Sequence, residues 1–581
     1  MPHQSSLRST VEDSLSPMRG DPQRQVNYKF KPSPTKRLPS GWAVATWLVV
    51  ALVFLPIVVV LSSVFSDAGG IWSHLADTVL PKYVTNSLLL MVGVGLGVLT
   101  IGVGTAWLVA MCAFPGVRFF EWALLLPLAA PAYLLAYTYT DWLEYFGPVQ
   151  TGLRSLFGWQ RATDYWFPNV RSVWGAIAMF SLTLYPYVYM LARVSFLEQS
   201  VCTIEASRSL GCNPWRSFAK VAVPLARPAI IAGLSLALME TLNDFGTVEY
   251  FSVATFTTGI YRTWFGMGER IAAAQLSAML MLFIFALILL ERWSRRQAKY
   301  YQSNNSVQTP TVYKLSGFRS GLAFTACSIP IALGLLVPGI LLALMVKDNW
   351  DTALSNRFGE LARNSLVLAM ATAIVALVLS LILAYGQRLT ASRSIQLGVR
   401  LAAMGYGIPG AVIAVGILIP VSRLDNAIAA WASSTLGIST GLLISGTIAA
   451  LVFAYLVRFL SVSLGSVESG LGKIRPNLDD AARSLGYSPT RTLAKVHTPL
   501  MTSSLVTAIM LVFVDVMKEL PATLVMRPFN FDTLAIRVYQ YASDERLAEA
   551  AAPALTILGV GLLPVIALSW QIRRSRTKQK A

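Results

Sequence analysis

The sequence predicts an all-α polytopic membrane protein with about twelve transmembrane helices in two parallel-repeat bundles. Three observations carry this: a composition poor in charge, apolar runs of spanning length, and a gapless internal repeat. Of 581 residues, 55% are hydrophobic and 13% charged, against about 25% charged in soluble domains. Ala43 to Ser66 and Val84 to Pro115 carry no charged residue. Roughly 20 apolar residues suffice to cross the hydrocarbon core, and helices satisfy their own backbone groups there.

Twelve apolar segments are long enough to span: 43–66, 84–110, 119–141, 172–196, 225–247, 271–291, 320–346, 364–386, 398–420, 440–463, 500–524 and 551–570. An even number puts both termini on one side. With the N-terminus inside, 33 of the 47 Lys and Arg fall on the cytoplasmic side, 13 fall outside, and Lys518 is left within a helix. This bias fits cytoplasmic N- and C-termini. It also accounts for the net charge of +18 without a nucleic-acid partner. Residues 1–42 are polar and basic and read as a disordered cytoplasmic tail without a cleavable signal peptide. Residues 293–319 read as a cytoplasmic linker between a first unit at 43–292 and a second at 320–570. Residues 571–581 read as a basic cytoplasmic tail. Four cysteines without a CxxC pair and three histidines predict neither a disulfide framework nor a structural metal.

Residues 205–230 and 480–505 match at an offset of 275 without a gap, with 12 of 26 positions identical. Asn86-Ser87-Leu88 also matches Asn364-Ser365-Leu366, and Pro131 matches Pro409, at an offset of 278. Each repeated loop begins with an acid, Glu205 or Asp480, which suits a helix N-terminus. Small residues follow, Ala206-Ser207 or Ala481-Ala482, and permit another surface to approach closely. Gly211 and Gly486 permit a positive-φ turn. Asn213-Pro214 and Ser488-Pro489 then start a second short helix. The expected product is a helix–turn–helix knob beneath the bilayer. An ordinary amphipathic connector is the bland alternative, and two copies at matched positions argue against it.

The pattern of acid, two small residues, glycine six positions on and a terminal hydrophobic-x-x-Pro resembles the EAA loop of ATP-binding-cassette (ABC) importer permeases. Here it ends in Val221-Ala222-Val223-Pro224 and Val496-His497-Thr498-Pro499, with Ser207, Asp480, Val223 and Thr498 departing from the usual residues. The resemblance covers roughly 43–570. It implies a type I importer permease fold, with Glu205, Ala206, Ser207, Gly211, Asp480, Ala481, Ala482 and Gly486 as ATPase-docking residues. It further implies two ATPase subunits, a periplasmic or lipid-anchored binding protein and a bacterial inner membrane location. The fused halves, with Glu240 to Phe251 and Lys518 to Thr523, resemble ferric-iron permeases. Thiamine permeases share the fused layout. No phosphate-binding loop is present: the nearest text, Gly470-Leu471-Gly472-Lys473, is followed by Ile474. The expectation is a non-enzyme that binds no cofactor, with ATP used by a partner.

Glu240 and Asp244 are four apart, a spacing that places them on one helix face. Asp515 and Glu519 repeat that spacing. With Lys518 they are the candidate translocation-pathway residues, and four carboxylates would favour a cation. A structural cluster, with Lys518 neutralising Asp515 or Glu519, is the competing reading. Tyr133, Tyr137 and Tyr139 are further candidates, since phenolate oxygen binds ferric iron, although membrane aromatics commonly pack or form belts. A gradient-driven secondary transporter would also carry buried charges, but it leaves the paired loops unexplained.

Overall fold

The computed structural model describes residues 41–199, 209–296, 312–350, 356–390 and 392–580. Everything below concerns the compact unit that begins at Trp42 and the helix leading into it. The expected tail at 1–42 lies almost wholly outside the described residues.

Twelve principal helices follow one another: α1 (Gly41–Ser62), α2 (Leu80–Met111), α3 (Ala132–Leu143), α4 (Val173–Glu198), α5 (Val223–Asn243), α6 (Arg270–Arg296), α7 (Phe318–Ile331), α8 (Asn356–Leu389), α9 (Gly410–Leu436), α10 (Ile448–Gly472), α11 (Thr502–Met517) and α12 (Leu547–Lys580). Among the described residues ten helices are long and apolar enough to cross a membrane by themselves, or twelve if each of two bent pairs is one span. The all-α polytopic architecture is therefore as the sequence predicts. Strand is confined, among the described residues, to β1 (Cys112–Ala113) and β2 (Tyr313–Lys314), which pair in parallel. They tie the end of the inter-half segment to the end of α2. That segment starts later than expected, because α6 continues to Arg296, and residues 297–311 lie outside the described set. The C-terminal stretch expected as a separate tail continues α12.

Five predicted spans shift, and a proline or a cap explains three of the shifts. The segment 398–420 is not one helix. Arg393–Ala402 ends in a short 3-10 turn, Ile408 becomes extended, and α9 starts after Pro409. Proline disfavours helix in the preceding residue but suits a helix start. Pro131 does the same before α3, where Val117–Ala129 and Ala132–Phe157 meet at 86°. The segment 440–463 begins only at Ile448, where the Thr447 hydroxyl caps α10 by accepting from the amide of Ala450. The segments 225–247 and 500–524 end early, at Asn243 and Met517.

The repeat is built into local geometry. Wide π-type turns occupy Phe218–Ala222 and Leu493–His497, at the 275-residue offset. Asn86 Nδ2 donates to the Ala254 carbonyl at 2.8 Å, and Asn364 Nδ2 donates to that of Asp532 at 3.3 Å. The halves are nevertheless entwined. From the first half, α1 crosses to the second, where Trp42 meets the edge of Tyr385 at 5.1 Å between centroids. A Cβ on Gly416 of α9 would lie 2.5 Å from the Pro56 carbonyl of α1. From the second half, α7 crosses back, and Phe324 meets Phe120 at 5.1 Å. Lipid offers no hydrophobic drive between helices, so close small-residue contacts hold such crossings. Gly416→Leu is expected to wedge α1 from α9 and cost about 1–3 kcal/mol through overpacking. Thermal unfolding of the detergent-solubilised chain would read this. An unshifted midpoint would mean that the crossing contributes little.

Candidate functional site

A cavity of about 100 Å³ lies where the halves meet, and it collects every carboxylate singled out for the translocation pathway. Glu240, Asp244, Asp515 and Glu519 line it, with Lys518 and Arg458. The elements that deliver them repeat: α5 and α11 both break at the cavity, and a short helix follows each break, Gly246–Tyr250 or Pro521–Met526.

The break corrects the reading that each acid pair shares one helix face. Glu240 sits in the last turn of a helix continuous from Pro214, about 39 Å from its start at 1.5 Å per residue. Asp244 lies beyond the helix end, with extended ψ of 139°. Its carboxylate accepts from the amides of Thr247 and Val248 at 2.8 and 3.3 Å and from the Thr247 hydroxyl at 3.1 Å. Glu519 likewise lies past α11. It accepts from the amides of Ala522 and Thr523 at 3.1 and 3.2 Å and from the Thr523 hydroxyl at 2.9 Å. Both acids therefore hold the first turn of a short helix, where the helix dipole favours negative charge. The pair Glu240 and Asp515 remains directed at the cavity from the helices themselves.

Sequence reasoning missed the main cation. That cation is Arg458, which lies within the predicted span 440–463. In the fold it is buried in α10, with Nη1 2.8 Å from Glu519 Oε1 and Nη2 3.9 Å from Glu240 Oε2. A charge sixty residues from its partner gives no local signal; an arginine eleven residues into a spanning helix was the clue. Lys518 pairs with Asp515 at 3.0 Å, as the competing cluster reading anticipated. The tyrosines do not converge. Tyr133 lines the cavity. Tyr137 packs between Tyr133 and Tyr250, at 5.7 and 4.5 Å. Tyr139 turns away and donates to the Leu333 carbonyl at 2.6 Å. Tyr187 and Tyr406 do meet across the halves, hydroxyl to hydroxyl at 3.2 Å, on the cavity wall. Among the described residues no three His, Cys, Asp or Glu side chains cluster to hold a metal. The carboxylates are spaced around the cavity and do not converge on one chelating point.

The second repeated loop folds as the expected helix–turn–helix. Asn477–Ser484 carries Asp480, Ala481 and Ala482, and Gly486 turns the chain at φ 76°. The Ser488 hydroxyl then caps Pro489–Thr492. In the first loop Glu205, Ala206 and Ser207 lie outside the described residues. Its turn at Gly211 (φ 77°) and the Asn213 cap on Pro214–Ser217 match the second loop. Leu210 and Leu485 occupy equivalent places and are 84% and 75% exposed. The second loop is fastened from α8. Arg388 donates to Asp479 at 2.8 Å and to the Leu471 and Ile474 carbonyls at 2.6 and 3.0 Å. Buried His497 stands 2.7 Å from Asp479, and Tyr385 donates to the Pro489 carbonyl at 3.0 Å. The exit geometries differ: Pro489–Leu500 meets α11 at 84°, whereas Pro214–Asn243 is one continuous helix.

The chain is thus a duplicated helical bundle with two matched loops and a charged cavity between its halves, and its relatives are permeases of transport systems. The chain is 26% identical over 492 residues to the Fe(3+)-transport system permease protein FbpB 2 of Haemophilus influenzae, covering 84% of this chain and 89% of that protein. It is 27% identical over 205 residues to the molybdenum transport system permease ModB of Escherichia coli, covering 34% of this chain and 86% of ModB. The sulfate transport permease CysT of Escherichia coli matches at 28% over 154 residues, 26% of this chain and 50% of CysT. ModB thus matches over about a third of the chain. No family model matches the chain.

Proposed function

We propose that this chain is the permease of a bacterial inner-membrane importer for ferric iron, with both termini cytoplasmic. A binding protein outside presents the iron. Two ATPase subunits engage the loops at Glu205–Gly211 and Asp480–Gly486, and closure of those subunits switches the pathway between the halves. The chain itself breaks no bond and binds no cofactor. Two exposed leucines at equivalent loop positions support docking, because an apolar side chain presented to water twice suits a partner's groove.

The observation that carries the cargo class is the charge of the cavity: four carboxylates against Arg458 and Lys518. A surplus of negative charge in a low-dielectric passage concentrates cations. This favours a cation over the sulfate named for CysT, and it agrees with the name of FbpB 2.

The test is proteoliposome uptake by the chain assembled with its ATPase and binding protein. ATP-dependent accumulation of labelled ferric iron is expected, without accumulation of molybdate, sulfate or thiamine. Thiamine uptake in place of iron would reassign the cargo. Uptake driven by an ion gradient without ATP would overturn the class of mechanism.

A further inference from the structure

The halves bring matched acids to the cavity but unmatched bases. At the 275-residue offset Glu240 corresponds to Asp515 and Asp244 to Glu519, whereas neutral Asn243 corresponds to Lys518 and neutral Thr183 to Arg458. All eight line the cavity. In the second half each acid has its own base: Asp515 has Lys518 at 3.0 Å and Glu519 has Arg458 at 2.8 Å. In the first half Asn243 is spent across the interface, accepting from the Gly410 amide at 2.9 Å. Asp244 is engaged by Thr247 and Val248. Glu240 is left over. Its opposite charge within 4 Å, among the described residues, is Arg458 at 3.9 Å, beyond hydrogen-bond reach.

Arg458 is built to be shared. Its side chain is 7% exposed, and its Nε has no hydrogen-bond partner among the described residues. A buried donor left unpaired is costly, so the guanidinium has reason to lean toward a further acceptor. Arginine also keeps its charge at any physiological pH, so it cannot leave the competition by losing a proton.

We infer that Arg458 is a tethered counter-cation: it holds Glu240 while the cavity is empty and yields it to an arriving multivalent cation. This rests on the cavity being the passage proposed above. A monovalent ion gains too little from Glu240 to displace a guanidinium that is already there. A trivalent ion gains about three times the Coulomb term at equal distance. Arg458 thus sets the threshold that separates multivalent cargo from the sodium and potassium around it, and it withdraws toward Glu519 when the cargo is bound.

The experiment uses the purified full chain and Tb³⁺, a trivalent oxygen-seeking probe whose luminescence is sensitised by nearby tyrosines. Tyr133, Tyr187 and Tyr406 line the same cavity. The key variant is Arg458→Thr with Glu519→Gln, which removes one positive and one negative charge and leaves the cavity's net charge unchanged. Tb³⁺ is expected to bind this variant about tenfold tighter than the parent, since a competing charge is gone while Glu240 stays. Glu240→Gln should abolish the sensitised signal in both backgrounds. Arg458→Lys keeps the charge but loses the fork that spans two carboxylates, so it should bind Tb³⁺ with intermediate affinity and remains informative if the double variant misfolds. Unchanged or weaker binding in the double variant, or parental affinity in Arg458→Lys, would overturn the inference. No ATPase, binding protein or iron enters this assay. A gain in Tb³⁺ affinity with failed iron uptake would therefore refute the cargo alone, and iron uptake without that gain would refute the role of Arg458 alone.

Discussion

Glu240→Gln is expected to reduce ATP-dependent uptake about a hundredfold or more, while membrane abundance and ATPase association stay at parental levels. A unit charge pair at 4 Å contributes about 4 kcal/mol at an effective dielectric of 20, and a substantial part of that would be lost to a cation passing the residue. The fold has no comparable stake in this side chain. Arg458 keeps its bond to Glu519 when Glu240 is neutral, so no buried charge is orphaned. The contrast with Glu519→Gln makes the argument testable. That change strips Arg458 of its charged partner and leaves one oxygen where two now accept from the amides of Ala522 and Thr523. Loss of one partner of a buried pair costs about 3–5 kcal/mol, so Glu519→Gln should lower abundance and thermal stability as well. Quantitative immunoblotting beside uptake separates the two. Normal uptake by Glu240→Gln would remove this residue from the passage.

Gly211→Pro combined with Gly486→Pro is expected to abolish co-purification of the ATPase. Both glycines sit at positive φ, 77° and 76°, whereas proline is fixed near −65°. The turn cannot form, and the two short helices of each knob lose their relative direction. Nothing lies within 4 Å of a Cβ at either position. The damage therefore stays in the loop, and the membrane bundle should accumulate normally. Each single variant should retain part of the ATPase, because the other knob is intact. Leu210→Ala with Leu485→Ala is the milder version: it leaves the turns alone and removes only the exposed apolar tips. Full retention of the ATPase by the double proline variant would mean that the partner grips the chain elsewhere.

What the sequence disclosed follows from what is local or duplicated. The loops were legible because the same residues recur at a fixed offset, and so were the four acids that line the cavity. Their arrangement was not legible. Spacing of four implies one helix face only while the helix continues, and both helices stop short, at Asn243 and Met517. Arg458 was misplaced because an arginine near the end of an apolar window looks like a cytoplasmic flank. Its partners are Glu519, 61 residues later, and Glu240 in the other half. Likewise Arg388 and His497 secure the second loop through Asp479, across 91 residues and within the loop respectively. The crossing of α1 and α7 between halves leaves no trace in periodicity, since a lipid-facing and a helix-facing apolar stripe read alike.

That crossing bears on biosynthesis. Helix α1 leaves the ribosome long before α9: Gly416, on which Pro56 packs, follows roughly 360 residues later. At about 5–20 residues per second this is a wait of roughly 20–70 s. During that interval the first helix must stay in lipid beside an unfinished bundle, its small-residue contacts unmade and its groove not yet translated. The newborn first half is thus open to wrong neighbours for the whole time the second is being made, and an insertion chaperone that shields α1 would have its greatest value in that window.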